Sequence, residues 1–378
     1  MHVKTTRQLI LVLAVVWMAG LSAPTLTCAQ STETKTSSVP RVKTFLHSNG
    51  NKLGEGTLVD DVRDGVWTWW YDTGEEFASM TYDMGTPVGT ERHLSRDGKI
   101  LTTGEYKDGK EYDGTFVDFN GELAVLSMRT YKEGDPDGKW QWWHPNGAVN
   151  TEGAFEGGDK HGTWTWYYPN GQKFAESNFD HGTMVGRESH WNADGDVMTT
   201  GEYRDGSPWT GQFVDFLGAD LVITFQRGFF DGEPHGDWIW RYDDGTLNTL
   251  GGFLNGNKDG RWEWWYANGE KFAETEYNNG VSKGKLSYYS DDGKLLAEGF
   301  YDENGSEVNG TFVDFTSELV LTAERSWVDG QRDGTWKTWH ENGQLASESK
   351  YDKGRQTGTW TTWNEEGVKT SEERFAAE

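Results

Sequence analysis

Short runs of alternating apolar and polar residues fill this chain, and aromatic residues hold most of the apolar places. The clearest run is Gly162 to Gly186, GTWTWYYPNGQKFAESNFDHGTMVG. Thr163 to Tyr168 reads as a strand, because aromatic and β-branched residues suit a pleated surface. Asn170-Gly171 reads as a type I′ turn, in which both central residues need φ > 0. Gln172 to Phe179 reads as the returning strand, and Gly182 to Gly186 as a glycine-bounded loop. The stretch is one β-hairpin.

The rest of the chain copies it. Glycines recur at 65, 89, 114, 138, 162, 186, 211, 236, 260, 284, 310, 334 and 358, with gaps of 24 to 26 residues. A degenerate first copy begins near Arg41 and turns at Asn49-Gly50. The period predicts about 14 hairpins and about 28 antiparallel strands. Such an array is all-β, one elongated antiparallel sheet that coils through its own twist. A half-open, curled ribbon suits that strand number better than a closed barrel. Thr370 to Glu378 is expected to add a frayed capping turn.

A longer period lies over the first. GTFVDF at Gly114 and Gly310 and GQFVDF at Gly211 stand 97 and 99 residues apart. Between them two Trp-rich copies and one polar copy recur, so a four-hairpin block of about 98 residues was itself duplicated. The polar copies run through TTGEYKDG at Thr102 and TTGEYRDG at Thr199.

Counted from the opening glycine, the second and fifth places are aromatic in most copies, as in Trp67 and Trp70 or Trp262 and Trp265. A spacing of three breaks strict alternation, so the strand carries a bulge or both faces are covered. The fourth place holds Trp69, Trp142, Trp166, Trp240 and Trp264, but Asp118, Asp215 and Asp314 in the FVDF copies and Thr338 and Thr362 near the end. A place that accepts Trp, Asp or Thr is expected to be accessible. Those five tryptophans are the candidate ligand-binding residues, since repeated indoles can stack on sugar rings or on an aromatic partner surface.

Composition agrees with a thin sheet. The apolar fraction is 34%, yet the chain has 21 Trp, 15 Tyr, 18 Phe and 49 Gly. The net charge of −26 argues against nucleic acid or anionic lipid as partner.

The N-terminus reads as an export signal. Lys4 and Arg7 precede the apolar run Leu9 to Leu21, and Thr27-Cys28-Ala29 offers small residues for cleavage. The run is too short to span a bilayer, which takes about 20 apolar residues. Residues 1–29 are thus assigned as signal peptide, 30–40 as a flexible Ser/Thr-rich tether and 41–378 as the repeat array. Localisation is then periplasmic or extracellular. Lipid attachment at Cys28, the lone cysteine, is the alternative to plain cleavage.

The unit G-x-W-x-x-W/Y-Y-x-N-G, followed by an aromatic and G-x-x-x-G, stands here as Gly162, Trp164, Tyr167, Tyr168, Asn170, Gly171, Phe179, Gly182 and Gly186. It resembles the MORN-repeat variant, which in bacteria is grouped with YwqK-family antitoxin-like proteins. The resemblance covers nearly the whole chain after the leader. It implies β-hairpin repeats in an elongated sheet, and its name implies neutralisation of a partner protein. The export signal departs from a cytoplasmic antitoxin.

Other motifs are weak. Gly280-Val281-Ser282-Lys283-Gly284 matches a nucleophile elbow, which needs a following helix. The histidines show no metal-ligand spacing, and the acidic loop Glu133 to Gly138 lacks a Ca²⁺-binding series. No metal and no cofactor are expected. The expected function is a non-catalytic, exported scaffold or binding module for protein. Envelope polysaccharide bound through the tryptophan ladder, and antitoxin-like neutralisation, are the alternatives. An envelope hydrolase would instead need an internal pocket with a perturbed carboxylate.

Overall fold

The computed structural model describes residues 39–218, 221–316 and 319–375. The expected signal peptide, nearly all of the expected tether and Cys28 lie outside these residues. The chain is all-β, a single open antiparallel sheet of 31 strands in hairpin succession. By contacts it divides into two compact units, whose described residues run 39–209 and 210–375. Fourteen hairpins are present among the described residues. The strand number exceeds the expected one because three first strands are broken. Asp135–Pro136, Glu233–Pro234 and Gln331–Arg332 stand apart from the strands that continue them.

In the reference hairpin the strands are Asp159–Tyr167 and Lys173–Asp180. Two kinds of turn alternate along the chain, and their types differ from the expectation. At Pro169-Asn170-Gly171 only the glycine has positive φ, at 85°. The Gly171 N–H donates to the Tyr168 carbonyl at 2.9 Å, and the Tyr168 N–H to the Gln172 carbonyl at 2.8 Å. This is a three-residue loop, a type I turn closed by a left-handed glycine, and Pro169 pre-sets its first φ. The type I′ turns are elsewhere. His181-Gly182, with φ of 42° and 80°, joins Lys173–Asp180 directly to the strand Thr183–Trp191. The stretch expected to be a glycine-bounded loop is therefore a two-residue turn running into the next strand. The C-terminal residues also differ from expectation, because Lys369–Phe375 forms a last strand rather than a frayed turn.

A bulge resolves the aromatic spacing. Trp166 pairs with Ala175 and Tyr167 with Lys173, so Phe174 on the returning strand has no opposite residue. The same slip skips Phe77, Leu101, Phe272 and Leu296. The second and fourth places therefore share one face, and the fifth is turned away from strict alternation. The second place builds the core. Trp67, Trp164 and Trp262 are each at most 2% exposed, as are Phe116, Phe213 and Phe312.

Flat packing of these rings depends on glycine in the preceding hairpin. A Cβ at Gly153 would lie 2.2 Å from Trp164, and one at Gly104 would lie 2.5 Å from Phe116. The indole also donates Nε1–H to the preceding strand, to the Ala154 carbonyl at 3.0 Å for Trp164. In the Trp-rich copies the three-residue turns reach forward as well. The Tyr168 hydroxyl donates to the Trp191 carbonyl at 3.0 Å, and Asn170 Nδ2 to the Ala193 carbonyl at 2.9 Å. Tyr242, Tyr266 and Asn268 make the same bond 23 residues ahead in the second unit.

Candidate functional site

The tryptophan ladder and an acidic cleft are two places where this fold gathers chemistry. The ladder comes first, because the sequence points to it.

Along 131–166 the rings touch in series. Tyr131 meets Trp140 at 5.3 Å, Trp140 meets Trp142 at 5.6 Å, Trp142 meets Trp164 at 6.1 Å, and Trp164 meets Trp166 at 6.3 Å. In the second unit Trp240 stacks on Phe225 at 4.9 Å, and Trp262 meets both Trp240 and Trp264. Trp142 and Trp240 thus join neighbouring hairpins, while Trp166 and Trp264 meet the second-place ring of their own strand. Trp69 is buried, at 8% exposed. Trp142, Trp166, Trp240 and Trp264 are half-buried.

Cations from the same sheet cover several of these rings. Lys160 Nζ lies 4.4 Å from the Trp164 ring centre and 5.3 Å from that of Trp166. Lys258 sits 4.0 Å from Trp262 and 5.5 Å from Trp264, and Arg63 lies over Trp67 and Trp69. Burial lowers the pKa of Lys160 and Lys258, and the ring faces offset part of that cost. Each of these residues stands two places before an opening glycine, a signal legible in the sequence. Pro136 and Pro234 occupy that place before Trp140 and Trp238. Among the described residues no cation lies over Trp142 or Trp240.

The cleft lies in the first unit. Phe119, at the fifth place of its FVDF strand, reaches back two hairpins. Its ring meets Trp69 at 5.7 Å, Phe77 at 5.1 Å and His93 at 5.8 Å. Beneath that contact is a cleft of about 220 Å³ lined by Trp69, Tyr82, Glu91, Tyr106, Asp118 and Phe119, among others. Glu91 and His93 are two residues apart on the strand Thr86–Leu94, so both face the core. They are 2% and 3% exposed. Glu91 Oε2 accepts the Tyr106 hydroxyl at 2.8 Å, and Oε1 accepts the Val117 N–H at 3.3 Å. His93 Nδ1 lies 3.4 Å from Glu91 Oε1 and 3.2 Å from the Thr102 hydroxyl. Burial pushes the Glu91 carboxyl up to about 7 and holds the His93 imidazole down at about 4. At neutral pH the imidazole is uncharged, and its Nε2 has no hydrogen-bond partner.

A half-open cleft beside a perturbed carboxylate is therefore present. Its two carboxylates are already engaged. Glu91 engages both oxygens with Tyr106 and Val117, and Asp118 Oδ2 takes Ser127 at 2.6 Å and Arg129 at 2.7 Å. The polar copies gave no cue to this site, because a Glu-x-His pair on a strand reads as solvent-facing alternation. The elbow motif has no elbow geometry. Ser282 lies on the strand Val281–Tyr289, next to a two-residue turn, with no helix after it.

The family model for the MORN repeat variant matches residues 136–156, 160–181, 258–279, 283–305 and 332–353. The chain carries MORN-variant repeats. Each matched segment covers most of a first strand, its three-residue turn and the returning strand. Among curated proteins no match is found. Among solved structures, the crystal structure of TcdB2-TccC3-Cdc42 is similar at 10% identity, covering 83% of this chain and 21% of that one, with a TM-score of 0.18. TcdB2-TccC3 without its hypervariable C-terminal region gives 10% identity, 88% and 18% coverage and a TM-score of 0.18. The Tc holotoxin pore of Photorhabdus luminescens gives 12% identity, 86% and 19% coverage and a TM-score of 0.17. The chain spans about a fifth of the length of these structures. Among the described residues no helix is long and apolar enough to cross a membrane.

Proposed function

We propose that this chain is an exported, non-catalytic repeat module that binds a protein partner, with one apolar contact point in each four-hairpin block. The observation that supports it is a recurring exposed pair. Ile100 and Leu101 are 63% and 60% exposed, Val197 and Met198 are 59% and 38%, and Leu295 and Leu296 are 54% and 56%. The pairs stand 97 and 98 residues apart, at the same place in each polar copy. A single exposed leucine needs no explanation, but the same exposed pair in three blocks is a repeated surface. In the Trp-rich copies the bulged residue goes inward, and Phe77 and Phe272 are each 5% exposed. Modest contacts repeated along one chain add through avidity, and the acidic surround favours a partner with a basic rim.

The test is a crosslinked pull-down from envelope extract with the purified chain and with the triple variant Leu101→Ser, Met198→Ser, Leu296→Ser. These exposed changes should alter folding stability by less than about 0.5 kcal/mol. The expected result is one protein captured by the wild type and at least ten-fold depleted with the variant, at equal circular dichroism. An identical protein set with both chains overturns the reading. A captured toxin whose activity the chain suppresses would sharpen it to antitoxin-like neutralisation. Polysaccharide enriched without protein favours the second reading, sugar stacking, for which Trp142 and Trp240 are the better of the five candidates because no cation covers them.

A further inference from the structure

Two hairpin turns at one edge of the first unit bring together side chains that the sequence keeps apart. Glu156 closes the strand Val149–Glu156, and His161 lies two residues into the strand Asp159–Tyr167. Asp180 ends Lys173–Asp180, and His181 is the first residue of the next two-residue turn. One ligand atom from each of Glu156, His161 and His181 lies within 4.8 Å of the other two. His161 Nε2 is 3.4 Å from Glu156 Oε2 and its Nδ1 is 3.7 Å from Asp180 Oδ1, while His181 Nδ1 is 2.8 Å from the same Asp180 oxygen. The two imidazole rings meet at 4.9 Å.

We propose that Glu156, His161 and His181, with Asp180 beside them, form a binding site for one divalent transition ion, zinc first. Two imidazoles and two carboxylates carry a net charge near −2, the complement of such an ion, and mixed N/O donors suit zinc, nickel and copper over calcium. Bonds of about 2.0 Å in a tetrahedral shell put ligand atoms about 3.3 Å apart, so the present spacing needs only rotamer shifts. The side chains can make them, because Glu156, His161 and His181 are 59%, 40% and 61% exposed.

The Nδ1 of His161 is shielded from solvent and has no hydrogen-bond partner, and the same is true of His235 at the same repeat place. What singles out His161 among the equivalent turns is the set of donors around it. Its equivalent, His235, has no such set around it. There the places of Glu156, Asp180 and His181 are held by Phe230, Leu254 and Asn255, and His235 packs its ring on Phe230 at 5.7 Å. The nearest cation is also turned aside, since Lys160 lies over the Trp164 ring.

The test is calorimetric titration of the purified chain with zinc chloride, beside His181→Asn, His161→Asn and, as control, His235→Asn. Asn occupies the turn place of His181 in other copies, at Asn255 and Asn279, so His181→Asn keeps the turn. The expected result is one zinc per chain for the wild type and His235→Asn, weakened at least ten-fold in His181→Asn and His161→Asn at unchanged melting temperature without metal. Zinc should also raise the melting temperature of the wild type and not of His181→Asn. Equal zinc binding by wild type and His181→Asn overturns the proposal. So does calcium binding equal to zinc, which would mark diffuse attraction to an acidic surface.

Discussion

In the stretch 65–131 a polar pair sits where the stretch 260–327 has an apolar one, on nearly the same frame. Trp67 and Trp262, Ala78 and Ala273, and Phe116 and Phe312 are matched in place and in burial. Phe119 folds back onto Phe77 at 5.1 Å, and Phe315 folds back onto Phe272 at the same distance. The middle hairpin differs. Glu91 and His93 become Leu286, 5% exposed, and Tyr288, whose ring meets Phe315 at 5.5 Å. The backbone arrangement therefore asks for bulk at these two places and is indifferent to charge. Glu91 and His93 add a pH-sensitive network to a frame that is complete without them.

The largest test asks whether the two frames are energetically equal. Phe116→Ala and Phe312→Ala should each cost about 4 kcal/mol by chemical denaturation, since both delete a fully buried ring. Unequal costs would mean that the polar network carries part of the first frame.

The second test isolates the network. Folded Glu91 titrates near 7 against a reference of 4.5, so between these values the native state keeps a proton that the unfolded chain has lost. Its contribution to stability is present below about pH 4.5 and is lost as pH rises through about 7. His93 acts in the opposite sense. Its pKa falls from 6.5 to about 4, so its contribution is present above 6.5 and lost as pH falls through 4. Glu91→Gln removes only the first effect. Relative to wild type, the variant should gain up to about 3 kcal/mol on going from pH 4.5 to pH 8, read from melts across that range. A flat difference would mean that Glu91 is ionised throughout.

The smallest effect concerns close approach. Gly104→Ala and Gly299→Ala place a methyl 2.5 and 2.6 Å from Phe116 and Phe312. Each should cost about 2 kcal/mol, equally in both stretches, through overpacking.

The hairpins, their period and the four-hairpin blocks were legible because turn glycines recur at a fixed period and aromatic spacing recurs in most copies. Trp164 and Trp262 at the second place mark the core by repetition alone. The turn types were exchanged because Asn-Gly fits both a type I′ turn and the end of a three-residue loop, and Pro169 ahead of it was the deciding residue. The Glu91 cleft was illegible, since Phe119 closes it from two hairpins away and that curvature leaves no trace in local alternation. The glycines at 56, 104 and 153 were a missed signal. Each faces the ring that comes eleven or twelve residues later, at Trp67, Phe116 and Trp164. The histidines 161 and 181 meet only through strand register across two turns, which no fixed ligand spacing encodes.

The forward bonds from the turns of the Trp-rich copies give the array a direction. Tyr168 and Asn170 are donors waiting for carbonyls made 23 residues later. Synthesis proceeds at about 5–20 residues per second, so a repeat takes on the order of a second or more to appear, while a hairpin closes in about 1–10 μs. Each hairpin that follows a Trp-rich copy therefore meets a predecessor with its latch already extended. At those steps growth is a one-way ratchet, in which the half-made chain exposes a ready edge and the copy before it sets the register of the addition.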